Sequence, residues 1–460
     1  MEQDEVLRLW AEHISKGQTT LIGAFGFGND RAHSAQGAWI TLSSGRRILD
    51  FTGGIGVLNH GHNHPKILNA RIDYQRRNRM EVHKNFFSPY AAALAKNWSD
   101  LMPEDLEVSY FPSSGAEAVE GAVKLAYKYH AGRRGTILRS NIAFHGKLLG
   151  AGGLTASPEL NFSFPTIPGI DEFMFGDLES VKRAVARHDH QDGSSDVYAI
   201  IIEPFSASTL RACSEEFLRG LMQLCRSLNI VLIFDEVYTG WGKTGSLFYF
   251  MRHEGLVPDI VTTSKSFGGG KSSISGFISR RKIFEGAYRT SADATLHSTT
   301  YFGFGEEAAT ALAAMEIAVD ERFAERALDL GAALQQGLEH LCATYPDFFI
   351  EHRGAGALRG VRVAPAGEAF FKMLAVLPGP WHADAQFAQK LAVGAVISRL
   401  YDEHGILTYF ASNEPILLIA SPPLICEVSD VEAFLVALEE CAQYGLPKMV
   451  SDFCLKAIKR

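Results

Sequence analysis

Two continuous apolar runs, Tyr198 to Glu203 and Asn229 to Asp235, each end in a carboxylate, with a segment of helical spacing, Glu215 to Leu228, between them. A strand apolar at every position needs cover on both faces, which suits a parallel sheet whose connections pack helices against it. The intervening segment supplies one such helix, with Phe217, Leu221, Leu224 and Leu228 on one side. Asp259 to Thr263 and Ile274 to Ser279 read as further strands. Open sheets of this kind bind ligands at the carboxyl ends of their strands, so function is expected near residues 203, 235 and 265.

Outside this middle part, Trp39 to Leu42 and Arg47 to Asp50 flank a Ser43-Ser44-Gly45 turn and read as a hairpin outside the main sheet. An Ala/Leu/Glu-rich stretch from about 305 to 345 predicts long helix leading into a C-terminal α+β part. Ala364 to Trp381, rich in Pro and Gly, predicts a loop or insertion.

The balance of 44 basic against 52 acidic side chains gives a net charge of −8, with no dense basic block, so nucleic acid is not an expected partner. The six cysteines are dispersed without C-x-x-C spacing, which predicts reduced thiols and no metal site. No apolar run approaches membrane-spanning length, and the acidic start Met1 to Glu5 lacks a signal pattern. A cytoplasmic enzyme without membrane contact is expected.

Four segments carry candidate chemistry. Tyr110 to Ala118 runs from a strand end into a helix, and its small residues Ser114, Gly115 and Ala116 let backbone amides approach a phosphate; an ordinary Ser-capped helix with Glu117 in a capping box fits equally. Phe144-His145-Gly146 could stack on and orient a flat cofactor, or be core. Asp235 at a buried strand end needs a cation, a pyridinium nitrogen being one; an N-cap or internal ion pair is the alternative. Lys265, between an apolar strand and Gly268-Gly269-Gly270, could be a desolvated nucleophilic amine or a solvated lysine. It is the order phosphate loop, aromatic, Asp, Lys that favours the chemical readings.

With these segments, Gly37 to Trp39, Leu49 to Val57, Gly61 to Pro65 and Ile233 to Gly245 make the chain resemble the class III aminotransferases of the fold-type I pyridoxal-phosphate enzymes, which include acetylornithine, ornithine and 4-aminobutyrate aminotransferases. The resemblance implies a large domain with a mainly parallel sheet over 61–330, and a smaller α+β domain built from 1–60 and 331–460. It implies pyridoxal 5'-phosphate as cofactor, joined to Lys265 as a Schiff base, with Ser114, Gly115 and Ala116 on its phosphate. Phe144 would stack on the ring with His145 beside it, and Val237 would pack on the other face. Asp235 would pair with the ring nitrogen, and Glu203 would stand near the 3-hydroxyl. Thr300 would reach the phosphate from the neighbouring subunit of a homodimer with shared sites. The implied reaction is ping-pong transfer of an amino group from a primary amine or amino acid donor to a carbonyl acceptor; racemisation or epimerisation on the same scaffold is the alternative.

Three positions depart from the family. Tyr238 replaces the glutamine expected to meet the 3-hydroxyl, Ser208 stands where a second glutamate is expected, and Ile419 where that glutamate's arginine partner is expected. Losing both members of a buried pair avoids an unpaired charge. Either another arginine, Arg211 or Arg359, reads a substrate carboxylate, or one substrate lacks an α-carboxylate.

Overall fold

The computed structural model describes residues 1–156, 162, 164–190, 194–365, 386–411 and 413–458, so most of the expected loop at 364–381 lies outside the described residues. The chain forms two compact units, Gly56–Glu325 and a second made from Met1–Ile55 with Arg326–Arg460.

The first unit is built on a seven-stranded sheet. In chain order its strands are β1 Leu106–Tyr110, β2 Thr136–Ser140, β3 Ile170–Phe173, β4 Val197–Ile202, β5 Val231–Asp235, β6 Ile260–Thr263 and β7 Gly276–Arg280; in space they lie β1-β7-β6-β5-β4-β2-β3. Strands β3, β2, β4, β5 and β6 pair in parallel, and β7 runs antiparallel to β6 and β1. Helix α1 (Gly115–Tyr129) precedes β2, and α2 (Glu215–Leu228) makes the crossover from β4 to β5.

Why the apolar runs are continuous is visible in the packing. Ile200, Ile202, Leu232 and Phe234 enter one core with Phe217, Leu218 and Leu221 of α2. Their neighbours Ala199, Ile201, Val231 and Ile233 enter another with Val119, Ala122, Val123 and Ala126 of α1. Alternate residues thus serve opposite faces, and neither face can be polar. Ser214 caps α2 by accepting from the Phe217 N–H at 3.1 Å, and Asn229 ends it in a left-handed conformation, φ 51°.

The helix expected over 305–345 is two, Gly305–Asp320 and Phe323–Thr344, separated at Arg322, whose φ of 55° no α-helix tolerates. Composition shows helix formers on both sides of this break and no glycine or proline at it.

In the second unit the hairpin Trp39–Leu42 and Arg47–Asp50 forms as expected, within a four-stranded sheet with Ala32–Gln36 and Ile406–Leu407. A further sheet joins Phe349–Ala355, Leu358–Val363, Leu418–Ala420 and Tyr409–Phe410. Ile419 is fully buried in the third of these strands, opposite Gly360. Among the described residues, no helix is long and apolar enough to cross a membrane, no cluster could hold a metal, and all six cysteines are free thiols.

Candidate active site

Parallel pairing sets Asp235, the last residue of β5, abreast of Thr262 in β6. Asp235 is 4% exposed, and its carboxylate is held from three directions. Oδ1 accepts from the Thr262 hydroxyl at 3.1 Å and the Val237 N–H at 3.0 Å, while Oδ2 lies 2.7 Å from His145 Nδ1. His145 is itself placed by its N–H, which donates to Thr155 Oγ1 at 2.9 Å. A carboxylate so braced keeps its direction; Oδ1 already has two donors, and Oδ2, facing His145 alone, retains a lone pair for a further one.

Lys265 follows β6 and Ser264, with φ 49°. A residue with a Cβ holds that left-handed conformation only where its surroundings impose it, and such residues gather at functional sites. Burial pushes the amine down to about 8, against the opposing pull of Asp235 and Glu203. Its Nζ lies over the Tyr238 ring, 4.0 Å from the centroid. Glu203, just past β4, accepts the Phe144 N–H at 2.9 Å and the Ala207 N–H at 3.2 Å; burial raises it to about 7. One carboxylate therefore ties the Phe144-His145 segment to the loop that carries Ser208.

At the start of α1 the serine cap of the sequence reading forms, but Glu117 turns back to Ser113 and does not close a capping box on Ser114. The Ser114 hydroxyl caps the helix at Glu117 N, 3.3 Å, and Glu117 Oε2 accepts from Ser113 N at 3.0 Å. Ser275 Oγ, before β7, donates to the Ser114 carbonyl at 2.7 Å and fixes the turn. A Cβ on Gly115 would come within 3.1 Å of Val237 Cγ1 and 3.3 Å of Ser264 Cβ, so this turn lies directly against the segments following β5 and β6. The first N–H groups of the helix have no partner within it, and with the helix dipole they favour an anion.

Within one unit the structure thus brings Ser114, Gly115, Ala116, Phe144, His145, Glu203, Asp235, Val237, Tyr238 and Lys265 to the carboxyl edge of the sheet. Thr300 is exposed in the turn before Gly305–Asp320. Thr262 and Thr155 were not singled out from sequence; the register of β6 against β5 is the signal that finds Thr262. His64, Lys84 and Trp241 have structural partners: Glu321, the Thr299 carbonyl and the Thr263 hydroxyl respectively. Arg211 is exposed, over the Phe175 ring, and Arg359 donates to Gln335 and the Gly356 carbonyl.

The site offers an anion cradle, a braced carboxylate and a desolvated amine, the three groups a phosphorylated pyridine aldehyde requires. The family model for aminotransferase class III matches residues 30–442. The chain belongs to the class III aminotransferases. It is 34% identical over 381 residues to a putrescine aminotransferase of Pectobacterium atrosepticum, spanning 80% of each chain. Its fold matches an (S)-enantioselective omega-transaminase from Thermomicrobium roseum, with TM-score 0.80 and 24% identity over 98% of this chain and 99% of that one. The ornithine aminotransferase of Toxoplasma gondii matches with TM-score 0.78 and 20% identity, over 100% of this chain and 97% of that one. As a class III aminotransferase the protein uses pyridoxal phosphate and moves amino groups from amine donors to carbonyl acceptors; the racemase alternative is set aside.

Proposed function

We propose that this aminotransferase takes its nitrogen from a terminal primary amine whose reacting carbon bears no carboxylate, a diamine such as putrescine being the simplest example. The observation that carries this is Ile419. Where an arginine is expected, the structure has an aliphatic side chain sealed in a sheet, and Ser208 stands in place of the glutamate expected to pair with it. A carboxylate brought there would lose hydration and gain no cation. The relative named for putrescine supports the same reading.

In this reading the turn Ser114 to Ala116 would hold the cofactor's phosphate, Phe144 and Val237 would enclose its ring, and Asp235 would pair with the ring nitrogen. When bound, pyridoxal phosphate supplies an electron sink for the carbon next to the transferred nitrogen. Asp235, fixed in direction by Thr262, Val237 and His145, would present its carboxylate to that nitrogen. Lys265 Nζ, with proton affinity lowered by burial, can take up and return a proton near neutral pH. The enclosing side chains keep water from these groups. The same reading places two copies in a homodimer, with Thr300 of each completing the other's phosphate site, and the six free thiols support a cytoplasmic setting.

Steady-state kinetics with putrescine, longer terminal diamines, glutamate and alanine as donors test the substrate assignment. Diamines should give kcat/KM at least about tenfold above the two α-amino acids, which corresponds to about 1.4 kcal/mol. Glutamate or alanine matching the diamines would overturn it.

A further inference from the structure

Tyr238, one of the three departures from the family pattern, lies against the Lys265 amine. Three residues past Asp235, which ends β5, it is 8% exposed, and its ring faces Lys265: Nζ is 4.0 Å from the ring centroid. The ring is clamped from another side by Gly56, whose φ is +84° and where an added Cβ would come within 2.7 Å of both Tyr238 Cε1 and Cζ. An aromatic face at this distance attracts an ammonium through its quadrupole, most strongly where water is excluded. A glutamine in the same place would present no such face.

We propose that Tyr238 is a positioning residue that holds the Lys265 amine on the face of its ring and favours its protonated form. The charged or titratable groups acting on that amine are then Asp235 and Glu203, together with the Tyr238 π-face. All three oppose the desolvation that burial imposes. The ring also sets direction, because Lys265 starts from a left-handed backbone and its side chain must be steered from there. The consequence for catalysis rests on the assignment of Lys265 to the cofactor. The geometry and its test do not, since they concern the lysine's own titration.

The test uses the full-length protein freed of cofactor. Reductive methylation with formaldehyde and cyanoborohydride, over a range of pH, is read by mass spectrometry on the peptide carrying Lys265. Tyr238→Phe keeps the ring and removes the hydroxyl; Tyr238→Leu keeps an apolar side chain and removes the π-face; Tyr238→Gln installs the residue the family pattern expects. The proposal predicts that Phe retains the wild-type midpoint for Lys265, while Leu and Gln move it down by about one pH unit. The direction follows because losing the ring face destabilises the ammonium, so the reactive free amine appears at lower pH. Circular dichroism establishes that the variants are folded, and Gln guards against a Leu variant that is not. Unchanged midpoints in folded Leu or Gln protein would overturn the proposal, and so would a Phe variant that shifts as far as they do, since that assigns the effect to the hydroxyl.

Discussion

Asp235 was legible in the sequence because an apolar run ending in a carboxylate is costly unless something answers the charge. What answers it was only half legible: His145 stood in a recognisable tripeptide, whereas Thr262 and Thr155 are ordinary strand and loop residues until the fold brings them within 3.1 Å and 2.9 Å of Asp235 and the His145 N–H. Asp235→Asn keeps the size and the contacts with Thr262 and Val237 but removes the charge. It should lower kcat about a hundredfold or more while leaving the thermal unfolding midpoint near wild type; a variant within threefold of wild type would remove Asp235 from the chemistry. Lys265 supplies a pH signature. Burial holds the free amine near 8, so in cofactor-free protein the rate of pyridoxal phosphate capture should rise about tenfold per pH unit up to that point and flatten above it. Stopped-flow absorbance from pH 6 to about 10 reads this; a rate still climbing tenfold per unit between about 9 and 10, as for an exposed lysine, would contradict it.

At the scale of elements, α2 and its flanking strands were readable almost to the residue, since a strong apolar stripe, a serine cap and an asparagine stop agree. The break at Arg322 was not, because its left-handed φ falls between helix formers with no glycine or proline to mark it. The two serine caps give a paired prediction. Ser214→Ala and Ser114→Ala each remove a side-chain acceptor from a helix N-terminus and should each cost about 1 kcal/mol in denaturant unfolding. Only Ser114→Ala should also weaken pyridoxal phosphate binding, measured by equilibrium dialysis, because only that helix start faces the proposed phosphate site. Equal cofactor affinity in both would leave Ser114 as a cap alone. Glu236 works similarly inside the fold: fully buried and raised to about 7, it accepts from the Thr239 hydroxyl and, at 2.8 Å each, from the Tyr249 and Phe250 N–H groups. An amide offers one acceptor oxygen in place of two, so Glu236→Gln should destabilise by about 1–3 kcal/mol in the same assay, and a neutral result would deny it that bracing role.

For the whole molecule, the parallel sheet followed from strand periodicity, whereas the class of chemistry followed from the resemblance of several segments to the class III aminotransferases, which the family model bears out. The donor stays open in the sequence: Ser208 and Ile419 are departures, but the sequence does not decide between another arginine and a substrate without an α-carboxylate. Assembly belongs to this scale too. If, as proposed, Thr300 serves a neighbouring copy, size-exclusion chromatography with light scattering should give twice the mass of the 50.4 kDa chain, and Thr300→Ala should weaken cofactor binding without dissociating the pair. A monomer with full cofactor affinity would contradict the shared site. The central claim, that Lys265 is the residue joined to pyridoxal phosphate, is tested most directly by reducing the loaded enzyme with borohydride and locating the cofactor by peptide mass spectrometry. The adduct should fall on the peptide containing Lys265 and be absent, with the visible absorbance band, from Lys265→Ala; an adduct on Lys243 or Lys271, or an undiminished band in the variant, would contradict the account.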